Sequence, residues 1–273
     1  MAVGAVARVD GVETSSVSTT VALRPLGESR RRRGDAGGLR ADADEQGYLF
    51  FRGLLPASDV LALRRRVLDA CHDLGWLHEA APIDDGVVAP GVRIGAYDET
   101  WVRLQCDVVA RQEFVLVREH PEILAVLEQV FGGPVRSGRG DTCRVFSPGC
   151  PELTTLPHQD HFYVRGATAL WTVWVPLGDC PVELGGLVVV PGSHAAGLQS
   201  HAGDGAGRQG VDVGPEVVWA CADYRCGDVL MFNSLTLHRA LDNRSADRLR
   251  VSADFRYEPD TWPRGERGSM ATP

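Results

Sequence analysis

"LPHQDHFYV", residues 156–164, reads as a short β-strand that carries an imidazole and a carboxylate two positions apart. In an extended chain alternate side chains share a face, so His158 and Asp160 point one way and Gln159 the other. Two such groups on a core-facing side are costly to bury unless something satisfies them, and a divalent metal does so. A third ligand must then come from elsewhere in the chain.

The sequence around this stretch has the same punctuation throughout. "CRVFS" (143–147), "ALWTVWVPL" (169–177), "GLVVVPGS" (186–193), "EVVWACAD" (216–223), "DVLMFNSLTLH" (228–238) and "LRVSADFRY" (249–257) are short, rich in Val, Leu and aromatics, and separated by Gly, Pro and Asp. Such a series predicts a β-sandwich or jelly roll. Upstream, "GYLFFRGLL" (47–55) suits a strand. Ser58-Asp59 suits a helix start, followed by Val60, Leu61, Leu63, Val67, Leu68 and Cys71 at helical spacing. "HPEILAVLEQVF" (120–131) predicts a second helix, with Pro121 in its first turn and Gly132-Gly133 after its end. Residues 86–107 read as loop-rich.

The expected architecture is therefore mainly β, a jelly roll with N-terminal helices packed on it. Residues 41–258 form its single domain. Residues 1–40, rich in Gly, Ser, Ala and Arg with "RRRR" at 30–33, read as a disordered extension and 259–273 as a tail. The arginine run reads as a solvated tail rather than a nucleic-acid patch.

Composition bounds the function. The 273 residues are 44% hydrophobic and 23% charged, as in ordinary globular domains. A formal charge of −8 gives no electrostatic reason to expect nucleic acid or an anionic membrane as partner. All 28 basic residues are arginines, a bias that resembles proteins of high-GC bacteria. No apolar run is long enough to span a bilayer, and the N-terminus lacks the hydrophobic stretch of a signal peptide. Seven cysteines, an odd number without a CxxC pair, predict reduced thiols in a cytoplasm rather than a disulfide framework.

His238, at the end of an apolar strand, is the candidate third ligand. Two histidines and one carboxylate leave three positions open on the metal, the arrangement of mononuclear non-haem Fe(II) centres that activate O₂. His194 follows a Pro-Gly turn and suits a hydrogen bond within it, while His72, His78, His120, His161 and His201 receive no metal role. On the last strand Arg248 and Arg250 share a face with Ser252 and Asp254. An inward arginine is natural as a carboxylate clamp; the competing reading is a buried ion pair with Asp254 or Asp247.

These residues together carry a resemblance. From Gly47 to Tyr257 the chain resembles the phytanoyl-CoA dioxygenase family of Fe(II)/2-oxoglutarate oxygenases, through "GYLFFRGLLP", "HQD", "WTVWVPLGD", "ELGGLVVVPGSH", "GDVLMFNSLTLH", Asn243 and "RLRVSADFRY". The resemblance implies a double-stranded β-helix, cupin-like, with His158, Asp160 and His238 as iron ligands. It implies a 2-oxoglutarate-binding arginine, placed on Arg248 with Arg250 as the alternative, and pocket walls at Trp174 and Arg144. The implied cofactors are Fe(II), 2-oxoglutarate and O₂, with ascorbate as reductant in vitro and succinate and CO₂ as coproducts.

Related halogenases carry Gly or Ala in place of Asp160, so the carboxylate favours hydroxylation. Desaturation, epimerisation and ring formation would use the same iron site, and a non-catalytic metal-binding jelly-roll module is the reading from another class. The expected substrate is a small molecule resembling a secondary metabolite, met by a monomer or homodimer. No cationic cluster is evident for the phosphates of an acyl-CoA. Tyr97, Trp101 and Gln105 in the 86–107 region, with Phe162 and Tyr163, are the substrate-pocket candidates.

Overall fold

The computed structural model describes residues 22–29, 36–95, 98–138, 140–164, 169–203, 205 and 208–261. Strand β1 (Ala22–Pro25) is followed by helix α1 (Ala36–Gln46), β2 (Tyr48–Phe51) and α2 (Ala57–Asp73). Helices α3 (Glu99–Val109), α4 (Gln112–Arg118) and α5 (Pro121–Phe131) precede β3 (Val135–Ser137) and β4 (Thr142–Phe146). The short helix α6 (Asp160–Tyr163) leads to β5 (Trp171–Pro176), β6 (Leu187–Val189), β7 (Ala202–Gly203) and β8 (Gln209–Gly210). Strands β9 (Val218–Cys221), β10 (Val229–Asn233), β11 (His238–Ala240) and β12 (Arg250–Pro259) complete the fold.

The helices form where the apolar spacing says they should. In α2, Val60, Leu63, Val67, Leu68 and Cys71 are buried while Leu61 faces solvent. Pro121 opens α5, the His120 Nδ1 accepts a hydrogen bond from the Glu122 N–H, and Gly132 at φ 76° closes it.

Two sheets face each other as a jelly roll, with the helices outside the larger one. The larger has the order β2-β10-β5-β12-β3, with β4 also on β12; the smaller runs β1-β9-β6-β11. Alternation along the strands decides what each layer receives. Val229, Met231, Val173, Val175, Val251, Ala253, Phe255 and Tyr257 join the core shared with the helices. Phe50, Trp174, Leu187, Val189, Leu230 and Phe232 form a second core. Arg250, Ser252, Asp254 and Arg256 fall on the alternate positions of β12, and all are buried. A strand with one apolar and one charged buried face needs a polar interior, and that interior is the site.

Three expectations require correction. The 156–164 stretch is extended only as far as Gln159, and Asp160 opens a helical turn. His158 forms an isolated antiparallel bridge with His238 rather than a strand of a sheet. The loop-rich reading of 86–107 misses α3, which the Asp98 side chain caps by accepting from the Trp101 N–H, with Leu104 and Val108 buried beneath. The boundary at residue 40 is also too late. Strand β1 pairs in parallel with β9 from Ala22↔Val218 to Pro25↔Cys221, and Leu26 and Leu39 are buried. The arginine run at 30–33 and Tyr97 lie outside the described residues. At the other end β12 reaches Pro259, and the Asp260 N–H donates to the Pro134 carbonyl. All seven cysteines are free thiols, and no described helix is long and apolar enough to cross a membrane.

Candidate metal centre

His158 and His238 are joined through their backbones, each N–H donating to the other's carbonyl at 2.9 and 3.0 Å. This pairing sets their rings side by side, 4.2 Å between centroids. Each Nδ1 is then tied to a carbonyl two residues earlier: His158 to Leu156 at 2.7 Å and His238 to Thr236 at 2.9 Å. A carbonyl only accepts, so both Nδ1 atoms carry a proton, and Nε2 is the nitrogen that each ring turns towards Asp160. Asp160 presents Oδ1 to those two nitrogens at 3.7 and 3.6 Å. The three side chains are buried, and their ligand atoms lie within 4.8 Å of one another.

Charge at the site matches metal binding. Burial, followed by the neighbouring His238, pulls the His158 imidazole down to about 4, so it is neutral near pH 7. Burial opposes the Asp160 charge, yet Arg256 holds the carboxyl well below the usual carboxylate range. Arg256 was not reached by the sequence argument. Its Nη2 donates to Asp160 Oδ2 at 3.0 Å, and Thr172 Oγ1 donates to the same oxygen at 2.5 Å. The signal was present: Arg256 continues the inward alternation of Arg250, Ser252 and Asp254.

The cavity between the sheets brings Trp174, Arg144 and Arg250 together with His158, Asp160 and His238, walled by Leu187, Phe232 and Ala240. Arg250 is 1% exposed, donates from Nη1 to Ser252 Oγ at 2.6 Å and lies 4.1 Å over the Phe146 ring. Its Nε has no hydrogen-bond partner, and no carboxylate within ion-pair distance is found for it among the described residues. Burial lowers its pKa only to about 10, which leaves a cation with no counter-ion among the described residues. Trp174 Nε1 is likewise buried and without a partner among them. Arg144 differs, because its Nε already donates to Asp254 Oδ2 at 2.6 Å.

Arg248 is not part of this cavity. Its side chain is 53% exposed beside Asp247. The cause lies in the preceding loop. Asn243 Nδ2 donates to the Phe146 and Arg248 carbonyls while its Oδ1 accepts from Ser245, which curls the chain so that β12 begins only at Arg250. The expected shared face of Arg248 and Arg250 is corrected accordingly: of the two, only Arg250 lies in the cavity.

Of the substrate candidates, Gln105 is committed elsewhere. Its amide donates to the Cys143 carbonyl and accepts from the Cys143 N–H, clasping β4 to α3. Trp101 packs half-buried against the helix-side core. Phe162 and Tyr163 stand next to the centre: Tyr163 meets the His158 ring edge-on at 5.5 Å, and Phe162 stacks on His201 at 4.1 Å. His201 also accepts the Gln159 N–H through Nε2, a supporting contact that sequence reasoning did not find.

Comparison with known proteins agrees with this geometry. The family profile described as phytanoyl-CoA dioxygenase (PhyH) matches residues 43–251. A 1-deoxypentalenic acid 11-beta-hydroxylase of Streptomyces arenae is 31% identical over 242 residues, 81% of each chain. Its counterpart in Streptomyces exfoliatus is 27% identical over 270 residues, 92% of this chain and 89% of the relative. Among solved structures, the non-heme alpha ketoglutarate dependent epimerase SnoN from nogalamycin biosynthesis superposes with a TM-score of 0.54 at 25% identity, covering 82% of each chain. SnoN has also been solved in complex with Fe3+, alpha ketoglutarate and nogalamycin RO.

Proposed function

The chain belongs to the phytanoyl-CoA dioxygenase family and is an iron(II)- and 2-oxoglutarate-dependent dioxygenase, and we propose that it hydroxylates a small secondary metabolite through His158, Asp160 and His238 as iron ligands and Arg250 as cosubstrate anchor. One observation carries the residue assignment. A buried His-Asp-His set whose Nε2 atoms face the carboxylate shares its cavity with a buried arginine that has no carboxylate partner among the described residues.

The donor set fits the metal, since neutral imidazole and carboxylate with open positions suit Fe(II) and need no thiolate. Bound there, iron and 2-oxoglutarate supply oxygen activation, in which the cosubstrate leaves as succinate and CO₂ while a substrate C–H bond is oxidised. The chain's own part is to place and protect. His158, His238 and Asp160 would hold the metal, with Arg256 and Thr172 behind the carboxylate. Arg250 would neutralise a cosubstrate carboxylate, and Trp174 Nε1 would donate to it. Leu187, Phe232 and Ala240 give the cavity an apolar wall that keeps water out. Tyr163, beside His158, and Phe162, stacked on His201, are the residues we assign to the substrate side.

The test is succinate formation from 2-oxoglutarate with Fe(II) and ascorbate, using 1-deoxypentalenic acid as first substrate because two relatives are its hydroxylases. Substrate-dependent succinate and a product heavier by one oxygen are expected; metal binding without any succinate would instead support a non-catalytic module. The likeness to an epimerase favours one further outcome, a product of unchanged mass, whereas desaturation or ring formation would remove two hydrogens. The reading includes a cytoplasmic enzyme, supported by its seven free thiols, acting as a monomer or homodimer, which light scattering resolves.

A further inference from the structure

The two oxygens of Asp160 stand in different environments. Oδ1 faces the two imidazole Nε2 atoms at 3.7 and 3.6 Å. Oδ2 is turned away and accepts from Thr172 Oγ1 at 2.5 Å and from Arg256 Nη2 at 3.0 Å. The carboxylate, the threonine and the arginine are 2%, 1% and 3% exposed, so water does not replace either donor. Both donors are held in turn. Thr172 and Arg256 face each other as a register pair across β5 and β12, and Arg256 Nη1 donates to the Gly140 carbonyl at 3.0 Å.

We infer that Thr172 and Arg256 are positioning residues that keep Asp160 a one-oxygen ligand. The inference rests on the metal-centre reading and specifies how that centre keeps its open positions. A carboxylate with both oxygens free can chelate a metal through both. Held through His158, His238 and one Asp160 oxygen, the metal would keep room for 2-oxoglutarate and O₂ together, and a second Asp160 oxygen would take the place that O₂ needs. Occupying Oδ2 with two donors prevents this, and the charge of Arg256 favours the ionised ligand.

The experiment uses Co(II), whose visible absorption reports coordination, added to the metal-free full-length protein before 2-oxoglutarate. Thr172→Val, which keeps volume and removes the donor, is expected to alter the Co(II) spectrum and, in the Fe(II)-loaded protein with 2-oxoglutarate, to slow O₂ consumption about 10–100-fold, the usual range for partners of metal ligands. Thr172→Ser restores both, and the melting temperature of the metal-free protein stays near the parental value in each. Arg256→Met changes the spectrum in the same direction. A parental spectrum and parental O₂ consumption in Thr172→Val would overturn the inference while leaving the metal centre intact, as would failure of the serine variant to rescue. A parental protein that binds no Co(II) would overturn the metal centre itself, and the inference with it.

Discussion

A histidine offers a metal the nitrogen it does not use elsewhere, and here both Nδ1 atoms are used. His158→Ala or His238→Ala is therefore expected to abolish stoichiometric Fe(II) binding, measured by titration, since one nitrogen and one oxygen remain. Stoichiometric iron in either variant would sink the ligand assignment. Arg250 and Arg248 separate on the same logic. A hydrogen bond to a charged group contributes about 1.5–3 kcal/mol, and each 1.4 kcal/mol is tenfold in affinity. Arg250→Ala should raise the 2-oxoglutarate requirement by about one to two orders of magnitude, whereas the exposed Arg248→Ala should leave it unchanged. The opposite result would return the anchor to Arg248. At this scale the cluster of His158, Asp160 and His238 was legible because residue type and apolar surroundings conflict visibly at all three. Which arginine lies in the cavity was not, because that depends on how Asn243 folds the loop before β12.

Among elements, those with a clear apolar pattern and end signals announce themselves and those without them do not. The strands of the larger sheet alternate between two buried layers, and α2 and α5 show their apolar stripes and ends. Helix α3 hides because Thr, Val, Cys and Asp in "ETWVRLQCDVV" are weak helix formers, and its Asp98 cap follows a Gly-rich loop. Strand β1 hides more completely. All four of its residues are exposed, and only distant pairing with β9 orders them. Its consequence is nevertheless measurable. A chain starting at Ala41 loses the buried Leu26 and Leu39, at about 1.5–3 kcal/mol each. Thermal unfolding should then fall by ~2–4 °C per kcal/mol, whereas a chain starting at Ala22 keeps both leucines and stays near the parental value. Equal melting temperatures for the two truncations would show that β1 and the start of α1 contribute nothing to stability.

For the molecule as a whole, holding a metal site between two sheets means burying titratable groups that must stay ready to coordinate, and this sets a pH dependence. The folded His158 titrates at about 4, below the value of about 6.5 expected when unfolded. Between those values the unfolded chain binds the extra proton, so the metal-free protein loses stability as pH falls through this window. The slope from this one group reaches about 1.4 kcal/mol per pH unit. Asp160, whose folded value lies well below the ordinary one, acts in a different range: its contribution is present above about 3.9 and is lost only as pH falls further. The two windows can therefore be separated in one urea-denaturation series. Metal-free His158→Asn, which cannot titrate, should show a shallower decline than the parental protein from about pH 6.5 to 4. Identical slopes would mean that the folded cavity accepts the proton on His158 as readily as water does, and that the imidazole is not held neutral for the metal.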